Sequence, residues 1–211
     1  MIDREKFFKE FDYHLLNDEK PSMYFNDIKK DEELKKCYPF NFIFDLINVD
    51  QNPKYHPEGT VWNHTMMVID EAAQNKHLSK DKKIFMWAAL LHDIGKTPTT
   101  KIRKGKITSY NHDKVGKGMS IKFLEEFNCS EDFIKEVSAL VRWHMQPLFV
   151  VKDTRFAQIE DMLRDCSLKE IALLSKCDRL GRGNLNKARK EEEIDSIKLF
   201  IEKVKSYSCS K

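Results

Sequence analysis

Apolar side chains recur along this chain at helical rather than strand spacing. In "TVWNHTMMVIDEAAQNKH" (60–77), Val61, His64, Val68 and Ala72 fall on one face, which predicts an amphipathic helix. Residues 82–93 are instead apolar almost all round and read as a central helix buried on every side. A further helix is expected over 115–127. Ser130 is placed to cap another through "EDFIKEVSALVRWH", with Pro147 stopping it soon afterwards. "SLKE" (167–170) has the capping-box pattern, Ser167 with Glu170, and opens a helix through Asp178. Ile194, Ile197, Ile201 and Val204 form a stripe on a C-terminal helix, and the first forty residues predict short helices with a loop at "NDEKPS". Only "TKIRKGKITSY" is strand-like: two short runs flank Lys104-Gly105, as in a small hairpin. The expected fold is all-α with one small β-hairpin.

Composition narrows the class without naming a function. At 41% hydrophobic and 34% charged, the chain reads as soluble and globular. No apolar run approaches the roughly 20 residues of a membrane span. The opening "MIDREKFFKEFDYHLL" lacks the apolar stretch of a secretory signal, so a cytoplasmic protein without a membrane partner is expected. Five cysteines with no C-x-x-C pair argue against a disulfide framework or a thiolate zinc site. A net charge of +3 does not by itself demand nucleic acid. "KTPTTKIRKGK" and "KCDRLGRGNLNKARK", however, are locally basic and adjoin the candidate site residues. "GKT" at 95–97 looks like the end of a phosphate-binding P-loop, but the earlier glycine is missing, since position 90 is Leu90.

Chemistry enters with the polar residues on apolar faces. The buried helix of "WAALLHDIGKTPTT" (87–100) ends in His92 and Asp93. His64 shares its face with Val61 and Val68, His144 with Val137, Leu140 and Val141, and Asp178 with Ile171, Leu174 and Ser175. A lone core histidine is ordinarily just a packed side chain. A buried carboxylate is different, because without a partner it costs on the order of several kcal/mol. Salt bridges would answer Asp93 and Asp178 singly; a divalent cation shared with the imidazoles answers all the positions together.

His64, the His92-Asp93 doublet and the distant Asp178 resemble the H…HD…D signature of the HD superfamily of metal-dependent phosphohydrolases, and "HDIGK" extends the match. Over about residues 20–185, "KPSMYFNDI", "PKYHPEGTVWNHTMMVIDEAA", "ALLHDIGKTPTT", "GKITSYNHDKVG", "RWHMQP" and "CDRLGRG" are similar, in order, to the HD portion of bacterial CCA-adding tRNA nucleotidyltransferases. The resemblance implies a helical HD bundle in which His64, His92, Asp93 and Asp178 bind one divalent ion. Imidazole with carboxylate suits Mn, Ni, Co, Fe or Zn, and admits Mg through the carboxylates and water. Such an ion acidifies water and neutralises phosphoryl charge. Asp93 is then the expected base. Lys96, turned outward by Gly95, is expected to hold a phosphate oxygen, and Arg182 to contact substrate. His112 and His144 are expected to supply a second metal site or a phosphate contact. Lys101, Arg103 and Lys106 are either phosphate contacts or a solvated hairpin. His56 has no assigned role, and His14 and His77 read as surface residues.

The chain is expected to divide into an N-terminal helical segment (1–50), an HD domain (51–190) and a C-terminal helix (191–211). The tRNA enzymes also carry a nucleotidyltransferase head with a D-x-D pair. No D-x-D occurs in these 211 residues, which excludes nucleotide addition by them alone. The favoured expectation is an enzyme, a metal-dependent hydrolase of phosphomonoesters or phosphodiesters, 2′,3′-cyclic phosphates included, on nucleotides or RNA ends. One alternative is a non-catalytic module that binds tRNA or a partner protein. Another is a regulatory hydrolase of a signalling or deoxynucleoside triphosphate, disfavoured by the compact chain.

Overall fold

The computed structural model describes residues 2–209. It is an all-α bundle with a single two-stranded hairpin among the described residues. In chain order the elements are α1 (Arg4–Asn17), α2 (Ser22–Ile28), α3 (Glu32–Lys36), α4 (Asn41–Phe44), α5 (Val61–Asn75), α6 (Lys82–Leu91) and α7 (Lys96–Thr99). The hairpin β1 (Thr100–Arg103) and β2 (Lys106–Ser109) follows. Then come α8 (His112–Glu125), α9 (Glu131–Trp143), α10 (Gln146–Val151), α11 (Ile159–Asp165), α12 (Leu168–Leu180) and α13 (Lys187–Cys209).

Helix α6 is the axis of the bundle, packed against α1, α5, α9 and α12. Its start is fixed by Asp81, whose carboxylate accepts from the amides of Lys83 and Ile84. From Phe85 to Leu91 every residue is buried, as an all-round apolar helix requires. Beside it lies an aromatic layer in which Phe8 stacks on both Trp87 (4.8 Å) and Phe127 (4.3 Å), while Phe11 meets Phe25, Phe40 and Phe44. The indole N–H groups are satisfied: Trp87 donates to Asp12 and Trp62 to Asn26.

Several local expectations change. α1 is one 14-residue helix rather than short pieces, with Phe8, Phe11 and Leu15 on its buried face. α8 begins at His112, three residues earlier than the apolar period suggests, because Asn111 at φ 62° turns the chain directly from hairpin to helix. Pro147 does not stop α9, which has already ended; it sits in the first turn of α10, where a missing N–H is no loss. Ser167 does cap α12 through the Glu170 amide, but the box is half formed. The Glu170 carboxylate instead accepts from the Ser79 hydroxyl (2.6 Å) and the Lys80 amide (3.0 Å), tying α12 to the turn before α6. α13 starts at Lys187 and buries Ile197, Phe200 and Val204. His14 is half-buried, stacked on Tyr24 and bonded to Asp18, whereas His77 is exposed as expected. The hairpin turn matches expectation: Arg103 pairs with Lys106 across Lys104 (φ 50°) and Gly105 (φ 71°), the two positive angles of a type I′ turn.

Candidate metal centre

Six polar side chains meet where α5, α6, α8, α9 and α12 converge, and all six are buried: His64, His92, Asp93, His112, His144 and Asp178. His64 lies in the first turn of α5, His92 caps α6, His144 caps α9, His112 opens α8, and Asp178 is in the last turn of α12. The structure therefore places side by side the six residues expected from the sequence as metal ligands or second-site residues.

The hydrogen bonds of three histidines define what the site can hold. His92 Nδ1 donates to the Ala89 carbonyl (2.8 Å), His112 Nδ1 to that of Ser109 (2.7 Å) and His144 Nδ1 to that of Val141 (2.7 Å). A carbonyl only accepts, so each neutral ring carries its proton on Nδ1 and turns an Nε2 lone pair inward. Those lone pairs face one another and Asp93. His92 Nε2 lies 3.3 Å from Asp93 Oδ2, with no hydrogen-bond partner, while His112 and His144 Nε2 lie 3.4 and 3.7 Å from Oδ1. The Nε2 atoms of His112 and His144 are 3.1 Å apart. His64 Nε2 completes the ring, 3.0 Å from Asp178 Oδ1 and 3.8 Å from Asp93 Oδ2. The converging lone pairs of His92, His112 and His144 beside the Asp93 carboxylate repel without a cation or proton between them, so this donor set fits a divalent ion. His64, His92 and Asp93 form one compact ligand group, and Asp93, His112 and His144 a second.

The charges on the carboxylates follow from their neighbours. Burial alone would raise the pKa of Asp93, but Lys96 and His92 outweigh it and hold the carboxyl well below its usual range. At Asp178 burial is likewise outweighed, by the His64 hydrogen bond and by Arg182. Burial pushes His144 down to about 4, with repulsion from His112 in the same direction.

Lys96 differs from expectation. Its ammonium points inward, 2.6 Å from Asp93 Oδ2, and donates to Gln51 Oε1 (2.7 Å). Gly95 does not turn the chain out either, since its φ of −73° is helical. It is needed for close approach: a Cβ there would lie 2.1 Å from the His112 carbonyl oxygen and 2.5 Å from the Gly116 amide. The absent side chain lets α8 deliver His112. Arg182 sits at the rim, a quarter exposed, with Nη2 3.8 Å from Asp178 Oδ1. Lys101, Arg103 and Lys106 lie on exposed hairpin positions. Two residues went unnoticed in the sequence, Gln51 on Lys96 and Glu58 against His64; both sit in the loop before α5, where no periodicity marks a buried side chain.

The bundle gathers four buried imidazoles and two buried aspartates at one point of its interior, a donor set that could hold a metal ion. The HD domain family model matches residues 60–183, more than half of the chain, and the chain belongs to that family, whose fold is of the metal-dependent phosphohydrolase type. Among curated proteins, the multifunctional CCA protein of Hahella chejuensis is 27% identical over 152 residues, covering 72% of this chain and 34% of the relative. That of Methylococcus capsulatus is 31% identical over 124 residues, covering 59% and 27%. That of Shewanella frigidimarina is 33% identical over 101 residues, covering 48% and 22%. The chain thus spans about a third or less of the length of these relatives. Among the described residues, no helix is long and apolar enough to cross a membrane.

Proposed function

We propose that this HD domain is a metal-dependent phosphohydrolase acting on phosphomonoesters or phosphodiesters, 2′,3′-cyclic phosphates included, of nucleotides or RNA ends. The observation that carries this reading is the set of Nε2 lone pairs fixed around an ionised Asp93. His64, His92, Asp93 and Asp178 would hold the ion, of which Mn, Fe, Co, Ni, Zn or Mg fits the donors, and His112 and His144 a second ion or a phosphate. When bound, the ion acidifies water and neutralises phosphoryl charge. Asp93, held between the histidine pairs, orients the attacking water and takes its proton. Lys96 keeps Asp93 ionised, and at 11% exposure its ammonium is near enough to the surface to meet a phosphate oxygen. Arg182 meets substrate at the rim. The test is hydrolysis of bis-p-nitrophenyl phosphate and of 2′,3′-cyclic nucleotides with Mn, Ni, Co or Mg. Asp93→Ala should lower turnover by roughly 100-fold or more. Hydrolysis that persists unchanged in that variant sinks the assignment.

A second reading, a tRNA-binding module, is favoured by the hairpin. Residues 96–110 hold five basic side chains and no carboxylate, with Ile102 78% and Tyr110 64% exposed. The relatives' name, CCA protein, points the same way. Salt-sensitive tRNA binding that survives Asp93→Ala, without hydrolysis in the parent chain, selects this reading.

A further inference from the structure

We propose that Glu58 is a positioning residue of the metal centre: its carboxylate fixes the His64 ring and joins it to the turn that carries Arg182. The proposal rests on His64 being an ion ligand. Glu58 belongs to the loop before α5, yet its side chain is only 3% exposed, and a buried carboxylate requires compensation. It has three neighbours that supply it. Oε1 accepts from His56 Nδ1 (2.9 Å) and lies 3.0 Å from His64 Nδ1, while Oε2 accepts from the Gly183 amide (3.1 Å). Its own carbonyl accepts from Asn63 Nδ2, which seats the loop on the start of α5.

His64 needs such a partner more than the other site histidines do. His92, His112 and His144 each satisfy Nδ1 on a carbonyl three residues earlier. His64 Nδ1 has no such carbonyl; Glu58 is the acceptor within reach, in an ion-pair contact whose present angle falls short of a hydrogen bond. Nε2 here donates to Asp178 (3.0 Å); with Nδ1–H held toward Glu58, an ion would take the place of that Nε2 proton and leave Nε2 facing Asp93 and Asp178 as a ligand. A carboxylate behind a ligating imidazole also raises its basicity. The same carboxylate reaches the far side of the site. A Cβ at Gly183 would lie 3.3 Å from Glu58, so the residue after Arg182 is packed directly on it. Glu58 therefore sets the relation between the ligand on α5 and the rim beyond α12, and gives His56 a place beside His64, the ring centroids 4.9 Å apart.

The test is Mn2+ and Co2+ affinity, by competition with a chromophoric chelator, in wild type, Glu58→Ala and Glu58→Gln, alongside thermal unfolding of each after chelator treatment. Glu58→Ala should weaken ion binding about 10- to 100-fold. Glu58→Gln, whose amide oxygen still accepts from Nδ1–H, should lose only about threefold. Affinity within twofold of wild type in Glu58→Ala overturns the role, as does an equal loss in both variants that tracks their fall in melting temperature. If Glu58→Ala does not fold, unchanged affinity in Glu58→Gln overturns it. A wild-type chain that binds neither ion removes the metal-centre reading and this one together, whereas wild-type binding with an unaffected Glu58→Ala removes only this one.

Discussion

Helix α6 passes through two interiors built on opposite principles. Along its length, Trp87 packs on Phe8 and Phe123, within an aromatic layer that also holds Phe11, Phe40 and Phe127. Contacts there are apolar and weakly directional, and burial of the rings stabilises the fold. At its end, His92 and Asp93 enter a cluster where three of the four imidazoles have their tautomer fixed by a carbonyl and both aspartates are held ionised. That cluster favours a geometry over stability, because its lone pairs face one another. One region holds the bundle together so that the other can keep an unfavourable arrangement.

The contrast is testable from both sides. Phe11→Ala empties a fully buried ring position and should cost about 3–5 kcal/mol in urea unfolding. Mn2+ affinity of the folded protein should stay unchanged; a parallel loss of affinity would show that the two regions are not separable. Gly95→Ala lies at their junction. Its Cβ meets backbone of α8 rather than flexible side chains, so α8 must shift, at about 1–3 kcal/mol. Because α8 carries His112, this variant should weaken ion binding as well as stability. Unaltered binding would place His112 outside the site.

How much of this was legible depends on whether a partner was local. Helical periods gave α5, α6, α9 and α12 to within a few residues, and with them the positions of His64, His92, His144 and Asp178. Backbone caps such as Ser130 and Thr60 act within three residues, the range that sequence patterns carry. Glu170 looked like a local capping partner, yet Ser79, 91 residues earlier, takes its carboxylate. Glu58, Gln51 and the inward turn of Lys96 were hidden for the same reason, since each answers a charge or ring placed by another segment. The start of α8 was missed because a single left-handed Asn111, not an apolar period, begins it.

A smaller effect should carry the opposite sign to that of the aromatic layer. His144→Leu replaces one of two facing imidazoles with an apolar side chain of similar reach, at the end of a helix whose Val137 and Val141 are already buried. After chelator treatment this variant should be as stable as wild type or about 1 kcal/mol more so, while binding ions more weakly. A loss of more than about 1 kcal/mol would show that the imidazole pair supports the fold.

The same pair should leave a mark on acid stability. Burial, with repulsion from His112, pushes His144 down from 6.5 to about 4 in the folded chain, and burial lowers His112 and His56 as well. Below 6.5 the unfolded chain therefore binds more protons than the folded one, so stability falls as pH drops. His64 does not offset this: it is raised, because Asp178 and Glu58 outweigh burial, so its contribution is already complete below 6.5. Asp93 and Asp178, held well below 3.8, add no slope between pH 6.5 and 5. Urea midpoints of the chelator-treated protein should thus decline across that window, and His144→Leu should flatten the decline without abolishing it, since His112 and His56 remain. An identical slope in the variant would mean that His144 is already protonated in the folded chain, with its Nε2 donating to His112 or Asp93 rather than offering a lone pair to an ion.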